Sequence, residues 1–438
     1  MKSIDSPYGE VPNGWQLLSL IDVCINIGGI QTGPFGSQLH QKDYVSDGTP
    51  IITVEHLGEN RILHDDLPRV TEIDKNRLNR YSLKEGDIVF SRVGSVDRRA
   101  LVRKEEDGWL FSGRCLRIRP DHNKVNPSYL SWFFGLPSFK EHVRRIAVGA
   151  TMPSLNTELL SSIPVFIPPL IEQDRIVNIL DPIESKIELN RRMNRTLEEM
   201  ARATFKSWFV DFDPVRAKAE GRSTGLPADL AALFPDSFED SPLGEIPKGW
   251  RVSTVGDEVK VVGGGTPSTK ESSYWVNGKF SWTTPKDLAG LSSPILIKTD
   301  RQITKEGLNQ ISSGLLPKGT VLLSSRAPIG YLAIANVPTA INQGFIGMVC
   351  DQALPNIYIL LWTQQHMEVI KARANGTTFQ EISKVNFRPI LLVVPNQSIL
   401  DSFLTITKPL FDRITSNLLE NNNLEEIRDS ILPKLMSG

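Results

Sequence analysis

Apolar residues follow two contrasting patterns along this chain. The first is a set of short β-like runs, Thr49 to Val54, Asp87 to Arg92 and Leu116 to Ile118, with a second set at Phe280 to Thr284, Thr320 to Ser324 and Ile390 to Val394. Gly and Pro break these runs at short intervals, which predicts compact β-rich bodies. A short helix is expected within each body, at Pro127 to Ile146 and at Pro355 to Ala374, because both segments open on Pro near N1 and carry an aromatic-apolar stripe. The second pattern is helical and long. From Ile171 to about Phe209 there is no Gly, Pro182 is the only proline, and Ile176, Ile179, Ile183, Met193, Leu197 and Met200 fall at alternating spacings of three and four, interrupted at Lys186 and Asn190. Phe403, Ile406, Leu410, Leu424, Ile427 and Ile431 follow the same spacing, with Arg413, Asn417 and Glu420 at the interruptions. Two segments sharing a heptad register in one chain predict a paired coiled coil, each helix about 58 Å long at roughly 1.5 Å per residue. The alternative is two amphipathic helices, each packed on its own body.

These patterns occur twice because the chain contains itself twice. Asp5-Ser6-Pro7, Gly9-Glu10, Pro12 and Gly14-Trp15 recur as Asp240-Ser241-Pro242, Gly244-Glu245, Pro247 and Gly249-Trp250, 235 residues later. Asp22 with Asp257, and Gly28-Gly29 with Gly263-Gly264, keep that offset. An offset of 227 then links Gly149-Ala150-Thr151 to Gly376-Thr377-Thr378, Asn190 to Asn417, and Leu197-Glu198-Glu199-Met200 to Leu424-Glu425-Glu426-Ile427. A period this long is a duplicated domain, since solenoid units run to roughly 20–50 residues. Two similar surfaces in one chain suit an elongated, two-fold-like target, and duplex DNA is one.

Geometry sets the expected arrangement. Antiparallel helices would hold the two bodies apart at opposite ends, with a pseudo-two-fold axis near mid-helix. Asn190 and Asn417 lie near those midpoints and are expected to meet there, where a buried polar pair fixes register. The fold class is therefore α+β: two mixed α/β domains (residues 1–167 and 244–394), two spacer helices (168–212 and 395–438) and a Pro-rich, acidic linker with at most one helical turn (213–243).

Composition adds exclusions. The chain has 438 residues and a net charge of −1. No run of about 18 apolar residues predicts a membrane span, the N-terminus lacks a signal-peptide pattern, and Cys24, Cys115 and Cys350 are scattered, as expected of reduced thiols in a cytoplasmic protein. Residues 244–395 carry 15 basic and 10 acidic side chains, whereas residues 166–243 carry 10 and 14. Nucleic-acid binding requires local rather than global positive charge, so a near-neutral chain that binds DNA would rely on other subunits for much of the phosphate contact.

Catalytic motifs are scarce. There is no phosphate loop of the G-x-x-x-x-G-K-[ST] type, no H-E-x-x-H and no G-x-S-x-G, and no spacing that suggests a metal site. Asp5-Ser6-Pro7-Tyr8 resembles the catalytic tetrapeptide of amino-group DNA methyltransferases, but its repeat, Asp240-Ser241-Pro242-Leu243, lacks the aromatic, and a turn opening the domain is expected. What remains is binding chemistry. Ser91-Arg92 and Ser325-Arg326 each follow a β-like run; Arg98, Arg99, Arg144, Arg145, Lys270 and Lys286 add charge; Gln343 sits in a turn whose counterpart is Ser112-Gly113-Arg114; and Thr151, Thr377 and Thr378 follow glycines. Arg to guanine and Gln to adenine are common base-edge pairings, and Thr hydroxyls suit phosphate. Each of these side chains, taken singly, also has an ordinary structural reading; recurrence at matched points is what raises them.

At this point the chain resembles the DNA specificity subunit of Type I restriction-modification enzymes. The resemblance is carried by Gly-Glu-Ile-Pro-Lys-Gly-Trp (244–250, and 9–15 with Val and Asn), by Leu197-Glu-Glu-Met-Ala-Arg-Ala-Thr-Phe-Lys-Ser-Trp-Phe-Val-Asp-Phe-Asp-Pro214, by Leu424-Glu-Glu-Ile-Arg-Asp-Ser-Ile-Leu-Pro-Lys-Leu-Met-Ser-Gly438, by Pro168-Pro169-Leu-Ile-Glu-Gln-Asp-Arg-Ile176 and by Gly376-Thr-Thr-Phe-Gln-Glu-Ile382. Asn396-Gln397-Ser398 departs from the helix-opening pattern. The resemblance implies two target-recognition domains, each reading half of an asymmetric bipartite sequence in double-stranded DNA. It implies helices that act as a ruler and dock two methyltransferase subunits, with restriction/translocase subunits joining them. No cofactor is then expected on this chain; S-adenosylmethionine, ATP and Mg2+ belong to the partner subunits. The rival readings are a fused restriction or modification enzyme and a structural two-domain adaptor without a nucleic-acid role.

Overall fold

Both sheet-bearing bodies follow one strand order. In the computed structural model, which describes residues 5–34, 38–376 and 380–438, the chain divides into two units. The first comprises the chain up to Lys186 together with Leu424–Gly438, and the second Ile187–Asn423. The main sheet of the first unit runs Ile30–Thr32, Cys115–Ile118, Ile88–Ser91, Arg99–Leu101, all antiparallel. That of the second runs Lys260–Gly263, Phe345–Val349, Val321–Ser325, Ile329–Ala335, and adds Ile295–Leu296 at the edge. A three-stranded sheet accompanies each: Arg69–Val70, Thr49–Ile52, Leu110–Phe111 in one, and Arg301–Ile303, Phe280–Thr283, Thr339–Ile341 in the other. A two-stranded ribbon closes each body, Gln16–Ser19 with Pro164–Ile167 and Arg251–Thr254 with Leu391–Val394. The duplication seen in the sequence is thus a duplication of topology, in the α+β class.

The predicted single helices are each two. Pro127–Phe133 and Pro137–Ile146 are divided at Gly135-Leu136, where Pro137 restarts the helix at N1, and Asn356–Gln365 is separated from Met367–Ala372 at His366. The residue before a proline resists the helical region, which accounts for the first break. In the first unit, Tyr8 packs edge-on to Phe133 with ring centroids 5.4 Å apart and also meets Phe139 and Phe166. Asp5–Ser6 and Gly9–Glu10 form a hairpin, so the methyltransferase-like tetrapeptide is a turn whose aromatic is committed to packing.

The stretch expected to be a linker is structured. Asp213–Ala219 and Ala228–Leu233 are helices, and Phe212, Val215 and Phe234 are buried in the core of the second unit. Its acidic and proline residues suggest a loop, but these apolar side chains dock it, with Leu226, Leu230 and Leu233 packed against the same core.

The long helices span Leu170–Phe209 and Gln397–Leu435. Each starts three residues after a strand of the closing ribbon, so the atypical Asn396-Gln397-Ser398 still opens a helix. Gln173 holds the first start: its amide accepts from the Asn126 backbone at 2.7 Å and donates to the Pro168 carbonyl at 2.8 Å. Within each unit the helix segments run antiparallel. In the first, Ile176 and Leu180 share a core with Leu432 and Met436, and Arg428 donates to Glu184 at 2.8 Å. In the second, Asn190 meets Asn421, Asn194 meets Asn417, and Phe205 meets Phe403.

The buried seam keeps the predicted positions at Ile176, Asn190, Phe403 and Asn417 and runs one position away from the predicted heptad elsewhere. Ile179, Met200, Ile406 and Ile427 are 45, 51, 38 and 49% exposed, whereas Leu180, Glu184, Ile187, Asn190, Asn194, Glu198, Thr407, Asn417, Asn421 and Arg428 are buried. Apolar spacing alone misplaces the seam because its central positions are polar. Asn190 and Asn417 are both buried there, but each bonds to a residue one turn away from the expected mutual pair. Asn190 donates to Glu420 and Asn421, both at 2.8 Å, and Asn417 donates to Asn194 at 2.8 Å. Removing one member of a buried charge pair strands the other and costs about 3–5 kcal/mol, whereas replacing both with apolar groups is often neutral. Arg428→Ala is therefore expected to destabilise the chain by about that amount. The double variant Glu184→Leu/Arg428→Met should recover most of the loss, as read by the denaturation midpoint.

Candidate nucleic-acid interface

In both main sheets the same end gathers three loops. One is the hairpin turn after Ile88–Ser91 or Val321–Ser325. The next is the turn before Cys115–Ile118 or Phe345–Val349. The third follows the short helices and passes Gly149 or Gly376. Isolated backbone bridges tie the first to the third, Val93 with Ser154 in the first unit and Arg326 with Glu381 in the second, and close the third on itself, Val148 with Ser154 and Asn375 with Glu381. The structure therefore brings Arg92, Arg98 and Thr151 to one sheet end, and Arg326 and Gln343 to the equivalent end of the other body. Thr377 and Thr378 lie outside the described residues.

Glycine permits this crowding. A Cβ on Gly33 would lie 2.2 Å from the Ser112 carbonyl oxygen, and one on Gly264 would lie 2.0 Å from that of Ile341. No side chain fits either place, so the strand end can lie directly against the turn.

Hydrogen bonding sets the true correspondence of the copies. The Arg92 amide bonds to the Arg114 carbonyl and the Arg92 carbonyl accepts from Leu155; the Ser325 amide bonds to the Gly344 carbonyl and the Ser325 carbonyl accepts from Ile382. Arg92 thus corresponds to Ser325, and Val93 to Arg326. The matching of Ser91-Arg92 with Ser325-Arg326 is out of register by one residue, which in a strand reverses the facing of every side chain.

The candidates sort by burial. Ser91 and Ser325 are buried in strands, which removes both from direct readout. Arg99 is 1% exposed; it donates to Glu59 at 2.5 Å and to the Ser131 carbonyl at 2.9 Å. This is a structural ion pair rather than a DNA contact. Burial alone would raise the Glu59 pKa, but Arg99 and Lys140 outweigh it and hold the carboxyl at about 2. Arg92 is half-buried and caps the Gly113 carbonyl at 3.1 Å. Arg144 pairs with Asp97 at 2.6 Å and Arg145 with His142 at 3.2 Å, both exposed on the helix Pro137–Ile146. Arg98, Thr151, Lys270 and Gln343 are exposed. Lys286 is also exposed and lies 3.4 Å from Asp300, and Arg326 lies 3.5 Å from Glu381.

Sequence reasoning missed a second cluster in the second unit. The Arg301 guanidinium stacks 3.7 Å over Trp275 and lies 5.2 Å from the centroid of Trp282. The two indoles pin the loop from Gly264 to Lys270: Trp282 donates to the Gly265 carbonyl at 3.1 Å and Trp275 to the Ser268 carbonyl at 3.0 Å. The Thr266 hydroxyl donates to the Gln343 side-chain carbonyl. The signal was the pair Trp275 and Trp282 beside a glycine cluster, but a cross-strand arginine is not visible without the strand register.

Among the described residues one group could gather around a cation: His64, Glu105 and Glu106, whose ligand atoms lie within 4.8 Å of one another. Glu106 is already engaged through both oxygens, by His64 at 2.8 Å and by the Arg103 amide at 2.7 Å, so it serves as a cap of its turn. The three thiols are chemically quiet. Burial pushes Cys24, Cys115 and Cys350 each up to about 12.

Comparison with known proteins places this architecture. Residues 12–199 and 247–427 match the family described as Type I restriction modification DNA specificity domain. The chain belongs to this family. It is 27% identical over 430 residues to the Type I restriction enzyme HindI specificity subunit of Haemophilus influenzae, covering 86% of this chain and 91% of that one. It is 24% identical over 449 residues to a putative Type I restriction enzyme MjaX specificity subunit of Methanocaldococcus jannaschii, covering 98 and 94%. The S subunit of a Type I restriction-modification system from M. genitalium shares the fold with a TM-score of 0.57 at 15% identity, over 98% of both chains. As a member of this specificity family the chain has a DNA-recognition role within a complex of several subunits. Among the described residues no helix is long and apolar enough to cross a membrane.

Arg99 and Arg98 make a discriminating pair of variants. Arg99→Ala is expected to lower the melting temperature and leave the salt dependence of DNA binding unchanged, whereas Arg98→Ala should do the reverse. Glu59, with its folded pKa depressed to about 2 from a reference of 4.5, contributes stability that is complete above pH ~4.5 and lost as pH falls toward 2. Glu59→Gln should flatten the melting profile over that window.

Proposed function

We propose that each body reads one half of a bipartite target in double-stranded DNA, and that the two long helices carry partner methyltransferase subunits. The observation that supports this most directly is that one backbone frame is built twice and furnished differently at its loop end. Arg92 stands where the second copy has Ser325, and Gly113 where it has Gln343. Two similar scaffolds with different tips suit two different half-sites.

The helices support the docking role. Leu189, Met200 and Leu419 are 54, 51 and 47% exposed on the helices of the second unit. Two residues along the helix from Met200, Arg202 opens a groove of about 520 Å3 that Phe205, Lys206, Leu361 and Met367 also line. Exposed apolar side chains together with a groove edged by Arg202 and Lys206 suit a protein interface. In this reading the chain recognises and positions, while S-adenosylmethionine, ATP and Mg2+ act in the methyltransferase and restriction/translocase partners. The raised pKa values of the three cysteines fit a chain that supplies no thiol nucleophile.

The test is a gel shift of the assembled complex on duplex DNA over a salt series. Affinity should fall steeply with salt, and Arg98→Ala or Arg326→Ala should each lower the slope by about one. Salt-insensitive or absent binding would identify a structural adaptor, and methyl transfer by the isolated chain would identify an enzyme. Met200→Glu is expected to weaken capture of the methyltransferase subunits at least tenfold in a pull-down titration while leaving the melting temperature within about 1 °C, since a surface substitution changes stability by no more than roughly 0.5 kcal/mol.

A further inference from the structure

We propose that Gln343 and Arg301 are the base-reading pair of the second body, and that both are held so as to meet a base mainly as hydrogen-bond donors. This rests on the DNA-reading role above and names the chemistry of its second half-site.

The two side chains share one frame. Arg301 pairs with Trp282 across neighbouring strands, and Trp282 pairs on its other side with Ala340. Gln343 follows that strand by two residues, at the tip of a turn closed by the Gly344 amide on Asn342 at 2.8 Å. Between them lies the loop from Gly264 to Lys270, fixed to the sheet by the Gly265 amide on the Ile341 carbonyl at 2.9 Å and by both tryptophan indoles. Arg301 and Gln343 are both exposed, so each is presented by a fixed frame.

Their hydrogen-bonding capacity is restricted. A free glutamine offers an acceptor and a donor, which match the N6 and N7 of adenine. Here the Thr266 hydroxyl donates to the carbonyl oxygen of Gln343, which commits one of that oxygen's two lone pairs to the loop and makes the amide NH2 the group best placed to meet a base. A guanidinium has donors only, and Arg301 lies flat against Trp275. The first body has Gly113 at the position of Gln343 and cannot make this contact. A pair of donor-only groups favours edges with acceptors side by side, guanine O6 and N7, or the thymine O4, over adenine, whose N7 acceptor stands beside the N6 amino donor.

The experiment is methylation-site mapping on a library of randomised duplexes with the assembled complex. Wild type should give a bipartite motif in which the half read by this body carries guanine or thymine at the two contacted positions. Gln343→Ala and Arg301→Ala should each lose roughly ten- to a hundredfold discrimination at one position, both in the same half, with the other half unchanged as an internal control of folding. Thr266→Val frees the glutamine carbonyl and should admit adenine at the Gln343 position, whereas Thr266→Ser should keep the wild-type motif. The inference is overturned if both alanine variants bind with an unaltered motif, if they alter opposite halves, or if Thr266→Val leaves adenine excluded. A wild-type complex with no sequence-selective methylation would instead sink the broader DNA-reading role.

Discussion

The pairing of the two long helices depends on a buried line that is polar at its centre. In the second unit Asn190, Asn194, Asn417, Glu420 and Asn421 interlock through amide hydrogen bonds, and in the first unit Arg428 answers Glu184. An apolar seam can slide by a turn with little penalty, because one leucine fits another's hole. A seam of amides and charges cannot, because each slip leaves buried donors without acceptors at roughly 1–3 kcal/mol apiece. Polar residues at these positions therefore give up some stability and select one alignment of the helices. The bodies depend on the same alignment, because the helices complete their cores. Phe205, Trp208 and Phe209 pack with Trp250, Tyr358 and Phe403 in the second unit, and Ile176 and Leu180 pack with body residues in the first.

That polar line also explains why the sequence was only partly legible. The existence, length and direction of the helices follow from the long Gly-free stretches and the duplication, since any chain that repeats strand, body and helix leaves few arrangements for two matching helices. The face of the helices does not follow. Periodicity assigns the seam to apolar residues, so it selected Ile179 and Met200 and passed over Glu184, Asn194 and Glu198. The outward apolar residues are the ones that a partner protein would cover, and a single sequence cannot separate a face buried by its own chain from one reserved for another. The misreading of the seam and the apolar exposure on the helices therefore have one cause.

The loop end shows a related limit. Strand runs are set by burial and recur in both copies, so the runs themselves were recoverable from the sequence, whereas the order of the main sheet comes only from the strand register. Side chains at the loop tips are free of that constraint. The resemblance between Ser91-Arg92 and Ser325-Arg326 was a coincidence of letters, because an insertion between the copies shifts the register by one and the hydrogen bonds place Arg92 opposite Ser325. Arg99 misled for a different reason: an arginine in a strand reads as surface charge unless its buried partner, here Glu59 forty residues away, is known. The charge of a residue type says little about its role until burial is known.

Freedom at the tips and rigidity beneath them are two aspects of one design. Recognition of a base edge needs donors and acceptors fixed to within a fraction of an ångström, which a mobile loop does not provide. On the proposed reading, the second body meets that requirement with groups behind the tip: Trp275 and Trp282 hold a loop by its carbonyls, Thr266 holds an amide by its oxygen, and Gly264 lets two backbones close together. Changing what is read then needs only a change of tip or of the hydroxyl behind it, and the sheet stays as it was. Duplication makes such change safe, because a substitution in one copy leaves the other copy's half of the target untouched. A specificity protein built this way can alter one half of its sequence preference at a time, and the divergence between Gly113 and Gln343 on equivalent turns is the form that such a step takes.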